Sequence, residues 1–446
     1  FVCADNGTGY YDSQNQFINI DTGSFNNSID HMTADYQGNL WFTSSRLGLL
    51  RLSRSAFTQL NYEHTDEKLV VNTVTMWNGN YYIGTDSGIA VSYAAAGSIL
   101  ANGDYIQKQD SSVNELVNKL VKELDNVRIR CITTDSKNNM WICTTGKGIY
   151  EVTYSGEIIR YDENNGLSGN RYRTITELSD NTMLAAGDTG LSYIVDEAVI
   201  GNIGYSMKNS KVLCTLETDI QDYGRVILAG TDGNGIEDLV RSRGLGDVYK
   251  RQIQDYGRVI LAGTDGNGIE VISDGRVIDN YDKDDGLSSA VILRMVKDAS
   301  GEGLFIVTSN SLCYMDKTGI IRILDNFPYY NNYNVVNGNN DNLFVLGSAG
   351  IYVVDKSALL SGKELDYKLL NGDCGLENAL TPNAWDYIDV NNNLYMSTDD
   401  GVMIVNLNDY SARIRSYRIQ MKSVKVDGES LRVKRGEELY IDSKAQ

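Results

Sequence analysis

The chain has 446 residues, 42% of them hydrophobic and 22% charged, which supplies a large core and excludes a disordered or fibrous class. Its 59 acidic residues against 40 basic ones give a net charge of −19, which opposes nucleic acid and anionic membrane as partners, because binding there comes from Lys and Arg displacing counterions. Only 2 His occur, so a multi-histidine metal site or an imidazole relay is nearly excluded, and any catalysis would have to run on carboxylates or tyrosines.

Six cysteines (Cys3, Cys131, Cys143, Cys214, Cys313 and Cys374) stand without a CxxC pair or regular short spacing, and are expected to be mostly buried thiols rather than a zinc or disulfide framework. Phe1 opens the chain, no signal-like segment follows it, and no run of about 18 apolar residues occurs. The expectation is a soluble piece of something longer.

Along the chain one unit recurs: a turn of Asp, Asn and Gly, an apolar or aromatic triplet, a small residue or Thr, a second Gly turn, and another apolar strand. Residues 2–12 hold only its second half. The clearest copies are 35–50 (DYQGNLWFTSSRLGLL) and 135–150 (DSKNNMWICTTGKGIY), with weaker ones at 77–91, 179–195, 255–272, 297–315, 339–354 and 389–405. Their spacing is mostly about 40 to 50 residues, the period of a four-stranded propeller blade. Short apolar segments between Gly and Asn turns are what a meander of antiparallel strands requires, and the Gly after the Thr supplies the positive φ of a tight hairpin. A second token, Gly-Leu, closes three units at Gly166-Leu167, Gly286-Leu287 and Gly375-Leu376, and should mark the crossover from one blade's rim to the next blade's inner strand.

Two segments break the period. Residues 112–124 place Val113, Leu116, Val117, Leu120, Val121 and Leu124 at helical spacing, with Ser112 and Glu115 as a capping box, and predict a short helix on the rim. Residues 220–237 (IQDYGRVILAGTDGNGIE) recur letter for letter at 253–270, around an unpatterned spacer at 238–252. Such identity is not ordinary repeat divergence. The spacer resembles a translated library adapter, so the stretch is read as an assembly artefact with no functional weight.

The block D-x-x-G-N-L-W-x-x-T-x-x-G-L with the trailing Y-x-x-x-x-G-L token resembles the two-component-regulator propeller repeat, found in the extracytoplasmic sensor regions of bacterial histidine kinases and diguanylate cyclases. The resemblance is strongest at Leu40-Trp41 and Met140-Trp141 and runs to about Tyr410. It implies an all-β fold: a propeller of four-stranded blades over 1–410, seven favoured and eight admissible, the half unit at 2–12 being either its first part or the remnant of a preceding propeller. After Tyr410 the text turns basic and alternating, with a hairpin signal at Asp427-Gly428. In that family a tyrosine-rich immunoglobulin-like linker module follows the propeller, and 411–446 is similar to its first strands, too few for a complete sandwich.

The acidic runs 282–286 and 264–268 lack the ligand alternation of a calcium loop and fall on repeat turns, so no metal is expected, and no cofactor. His31 and His64 stand without a nucleophile signature and are read as surface or rim residues. Propellers gather the loops of one face around a central channel, where ligands settle. The loops after the Gly-Leu tokens carry Arg171, Tyr172, Arg173, Tyr329, Tyr330, Asn332, Tyr333 and Trp385, aromatic and bidentate groups suited to a small-molecule, glycan or peptide ligand, although Tyr172 and Trp385 precede strands and have an alternative role between blades. Trp41 and Trp141 are assigned to the core, because each stands at the same place in its repeat. The expectation is a non-catalytic ligand-binding ectodomain of a membrane receptor, with homodimerisation expected of the receptor. An interaction scaffold and a carbohydrate-active or lyase-type propeller enzyme are the alternatives.

Overall fold

Each repeat folds as an antiparallel meander whose turns are tied by its own side chains. In the computed structural model of the protein the described residues are 2–4, 7–20, 22–25, 29–35, 39–53, 55–60, 68–93, 111–203, 211–220, 224–232, 259–264, 268–273, 276–412, 424–426 and 429–431. In the first turn of the 135–150 copy, Asp135 Oδ1 accepts the Asn139 N–H at 2.7 Å, while Oδ2 accepts Asn139 Nδ2 and Trp141 Nε1, both at 2.9 Å. The 35–50 copy repeats the pattern with Asp35, Asn39 and Trp41. In the last copy Asp389 and Asn393 do the same, with the Tyr395 hydroxyl at 3.4 Å in place of the indole. In the second turn a Thr hydroxyl donates to the carbonyl of the Gly that ends the turn, Thr144 to Gly148 at 2.8 Å and Thr398 to Gly401 at 2.7 Å. Gly148 holds φ +78, open to glycine at little cost.

The Gly-Leu token closes the outer strand as the sequence implies. After Ile158–Tyr161 the chain makes a 3-10 turn at Glu163–Asn165, capped reciprocally by Asp162 and Asn165, and Gly166 ends it at φ +113. The Leu167 N–H then bonds the Asp162 carbonyl at 3.0 Å, and its side chain, 4% exposed, drops between blades. Leu287 and Leu376 enter other inter-blade clusters in the same way.

Seven sheets close into a ring. Blade 1 has strands Val71–Trp77, Asn80–Thr85 and Ile89–Tyr93; blade 2 runs from Ile129–Thr134 to Ile158–Tyr161, and blade 3 from Tyr172–Glu177 to Ala198–Ile203. Blade 5 runs from Ile292–Lys297 to Ile321–Ile323 and blade 6 from Asn332–Asn337 to Tyr367–Leu370. Blade 7 takes Tyr387–Ile388, Asn393–Thr398 and Gly401–Asn406 from the end of the ring and its outer strand, Phe57–Gln59, from the beginning. That pairing latches the ring, and Val71, Val74 and Ile83 of blade 1 pack on Tyr395 and Val402 of blade 7. Among the described side chains, the faces that meet between neighbouring sheets are apolar.

The ring excludes the first two sheets. Strands Val2–Ala4, Gly7–Tyr11 and Phe17–Ile20 form one, and His31–Ala34, Leu40–Ser44 and Gly48–Leu52 the other, joined by their own cluster of Phe25, Ile29 and Phe42. The 35–50 copy is therefore not a blade of this ring, because Phe57–Gln59 already occupies the outer place of blade 7. Consequently Trp41 is only half-buried and Phe42 is the core residue of that strand, whereas Trp141 is 3% exposed, stacked at 5.7 Å on Tyr161.

Blade 4 has five strands: Lys211–Ile220, Gly224–Asp232, Val259–Thr264, Gly268–Ser273 and Arg276–Tyr281. The second and third are the two identical copies, paired parallel and in register, Val226 opposite Val259. The helix forms at Ser111–Glu123 and lays Val117 and Leu120 into the cluster shared by blades 1 and 2, while Val121 of the expected face is exposed. A second compact unit comprises 413–446, in which strands Val424–Val426 and Glu429–Leu431 pair as a hairpin. Among the described residues, no helix is long and apolar enough to cross a membrane.

Candidate functional site at the mouth of the ring

The inner strands of blades 1 to 6 each slip by one residue close to their start. The pairing jumps from Val71 to Thr73, Ile129 to Cys131, Tyr172 to Thr174, Val212 to Cys214, Ile292 to Arg294 and Asn332 to Asn334. The skipped residues are Asn72, Arg130, Arg173, Leu213, Leu293 and Tyr333. A bulge re-aims its extra side chain. The six bulges stand at the incoming end of their strands, and two of the extra residues, Leu293 and Tyr333, pack into inter-blade clusters.

The polar side of this mouth is built by blades 1 to 3. Asn72 donates to Asp86 at 2.8 Å, and Arg128 binds the same carboxylate at 2.8 Å. Arg173 Nε reaches Asp188 at 2.8 Å. Arg130 lies within electrostatic reach of all four charged groups, yet no hydrogen bond or ion pair of its own is seen among the described residues. Burial, then the like charges of Arg128 and Arg173, bring its guanidinium down to about 10.

The residues that follow the bulges are small on blades 1 to 4 (Thr73, Cys131, Thr174 and Cys214) and long on blade 5, where Arg294 is 4% exposed. Trp385 occupies the space those small residues leave. It pairs with Thr73 across the ring closure, and its ring packs on the clusters of blades 2 and 3 and of blades 4 and 5, so it lies across the channel. The Arg294 guanidinium covers it at 3.7 Å and donates to the Ala384 carbonyl at 2.6 Å, while Arg294 Nε has no partner among the described residues. Beside it Asp386 accepts the Ser397 N–H at 3.1 Å and Asn334 Nδ2 at 3.3 Å; burial pushes its carboxyl up to about 6. The Cys131 thiol is pushed up to about 11 by burial, the opposite of a nucleophile.

The candidates from the sequence separate. Arg171 is exposed just before the inner strand of blade 3, bridged to Thr145 of blade 2, and Arg173 stands in the mouth. Trp385 is its floor. Tyr333 packs between blades 6 and 7. Tyr172 has to be corrected: at 1% exposure, with its hydroxyl 2.7 Å from Ser192 Oγ, it belongs to the core between blades 2 and 3 and has no surface for a ligand. Tyr329 is away from the mouth, stacked at 4.5 Å on Tyr352 and edge-on to Tyr367 of the outer strand, whose hydrogen bond carries its hydroxyl up to about 12. Tyr330 is 66% exposed beside that rim cluster, and Asn332 is a loop brace, 1% exposed and donating to the Tyr329 carbonyl at 2.8 Å. His31 is exposed in the first sheets, and His64 lies outside the described residues. In the 282–286 run Asp282 caps the Asp284 N–H at 2.7 Å, as turn chemistry requires.

Arg130, Arg294, Asp386 and Asn72 escape sequence reading, because a bulge and a cross-channel contact leave no periodic trace. One signal was present: Arg128-Ile129-Arg130 and Arg171-Tyr172-Arg173 repeat Arg-x-Arg at the same place in successive units.

These sheets define a seven-bladed β-propeller. Residues 123–146 match the family model "Two component regulator propeller", so the chain carries that family's repeat. No curated protein matches the sequence. Among solved structures the chain is similar to the extracellular domain described as part of a hybrid two component system of B. thetaiotaomicron, with TM-score 0.59 and 16% identity over 97% of this chain and 55% of that one. It is similar also to the extracellular domain of a second such system from the same organism, with TM-score 0.53 and 15% identity over 96% of this chain and 54% of that one. At these identities the likeness shows the fold. The chain spans about half the length of those domains.

Proposed function

We propose that this chain is the ligand-binding part of a sensor ectodomain, outside the cytoplasm, in a bacterial membrane receptor whose kinase or diguanylate cyclase output lies elsewhere in the protein. The observation that carries this reading is the regulator-propeller repeat at 123–146 set within a seven-blade ring whose fold is that of extracellular domains of two-component systems. The mouth supports it: bulged polar residues of blades 1 to 3 and the Trp385–Arg294 contact lie at the end of the ring where incoming loops meet, the place where propellers collect ligand groups. Its chemistry favours holding over transforming, since Cys131 is kept protonated and Asp86 and Asp188 are engaged by arginines.

The test is the intact receptor. Sequencing the locus on both sides should give a membrane span and a kinase or cyclase output, and ligand added to whole cells should change that output. A reading frame continuing into a soluble enzyme without a membrane span overturns the proposal. So does turnover of a bound polysaccharide by the purified chain.

A further inference from the structure

We propose that the mouth is a site for a small organic oxyanion, a carboxylate, sulfate or phosphate group presented to Arg130 on its wall and to Arg294 at its floor. This rests on the reading of the mouth as the ligand site and adds the charge of what it takes.

Two independent observations point there. On the wall, Asp86 is bound by Arg128 and Asn72, and Asp188 by Arg173, so Arg130 stands half-buried within reach of two arginines and two carboxylates but bonded to neither acid. At the floor, Arg294 is 4% exposed, stacked on Trp385, with Nε unpartnered; Asp386 acts on it electrostatically, but no carboxylate lies within ion-pair distance among the described residues. A buried cation that closes no ion pair is costly, and folds retain one where function requires it. Both residues stand at the incoming end of their strands, Arg130 second in Ile129–Thr134 and Arg294 third in Ile292–Lys297. Arg294 covers Trp385, and Trp385 packs on the cluster that holds Cys131, the residue next to Arg130, so both cations belong to the end of the channel that Trp385 crosses. In a chain with net charge −19 this is not a general basicity of the surface. A guanidinium offers a planar fork that matches an oxyanion, which lysine would not.

Calorimetric titration of the full chain at fixed ionic strength with glucuronate, glucose 6-sulfate, glucose 6-phosphate and neutral glucose tests this. At least one anion should bind ten or more times tighter than glucose, and the strongest identifies the group. Arg130→Gln should lose at least tenfold of that affinity and Arg130→Lys part of it, with unchanged melting temperatures, while Arg322→Gln on the outer strand of blade 5 should bind as the parent does. Equal affinity for glucose, absence of binding by all three anions, or binding indifferent to Arg130 overturns the inference. A receptor that answers to a ligand indifferent to Arg130 removes this inference and leaves the sensor reading standing. Arg130-dependent binding by a receptor that stays silent does the reverse.

Discussion

Trp141 Nε1 donates to Asp135 Oδ2 at 2.9 Å, and seven residues of one repeat thereby tie a solvent turn to a buried ring. The carboxylate that caps the Asn139 N–H also satisfies the only polar atom of the indole. Trp141→Ala should cost about 3 to 5 kcal/mol as a truncated buried aromatic. Asp135→Ala, which leaves the indole N–H unmet, should cost about 1 to 3 kcal/mol. The same change at half-buried Trp41 should cost less than at Trp141. Urea denaturation of the three variants decides it, and equal losses at Trp41 and Trp141 would show that burial is not what separates them.

Gly286 holds φ +108, and a Cβ there would lie 2.4 Å from the Ile321 carbonyl oxygen on the outer strand of blade 5. Gly286→Ala therefore meets strain and a backbone clash together, and about 1 to 3 kcal/mol is the cost of the conformation alone. Gly301→Ala, at φ +75 with open space around it, isolates the conformational part. The melting temperature should fall further for Gly286→Ala, and identical shifts would remove the clash from the account.

Lys356 Nζ binds Asp298 Oδ1 at 2.7 Å with the carboxylate side chain 2% exposed, joining blades 5 and 6. Burial would raise the Asp298 carboxyl, but Lys356 and the Ser300 N–H together hold it below its ordinary value. An acid depressed in the fold contributes stability above its unfolded value and loses it as the pH falls through the folded one. Lys356→Met should cost about 3 to 5 kcal/mol at pH 7, because it leaves the charge buried without a counter-charge, held only by the Ser300 N–H and the Tyr314 hydroxyl. The loss should shrink below about pH 4, where the orphaned acid protonates. A cost that stays constant from pH 7 to pH 3.5 would contradict the ion-pair account.

Asp386 carries the opposite sign. Its folded value of about 6 lies above the ordinary 3.8, so between those values the native state binds more protons than the unfolded chain. Its contribution is full below about pH 4 and lost as the pH rises to 6. The stability of the parent minus that of Asp386→Asn should fall by roughly 1 to 2 kcal/mol across that window, discounted for partial exposure. Parallel pH profiles for the two proteins would be the contrary result.

Removing residues 220–252 deletes one copy of the duplicated strand with the spacer, and leaves Val259–Thr264 to pair with residues 211–219 as Gly224–Asp232 does now. Blade 4 then becomes a four-stranded antiparallel meander like its neighbours. The shortened chain should unfold cooperatively at the same or a higher temperature. A loss of cooperative unfolding would make the duplication part of the fold.

What the sequence determined by itself was local. Asp135, Asn139 and Trp141 bond within seven residues, Thr144 and Gly148 within five, and Asp162 to Leu167 within six, so composition and spacing suffice to specify turn, strand and crossover. The blade and its period follow from those bonds. Only the tertiary structure decided which units close the ring, because closure depends on Phe57–Gln59 meeting Gly401–Asn406 from the far end of the chain, a pairing that no local pattern encodes. It also decided which aromatic residues face solvent, neighbour or channel. Tyr172, Tyr329 and Trp385 stand on similar crossover loops, yet one is core, one rim and one the channel floor. Bulges and cross-channel contacts set that outcome, and they arise only when seven sheets share one axis.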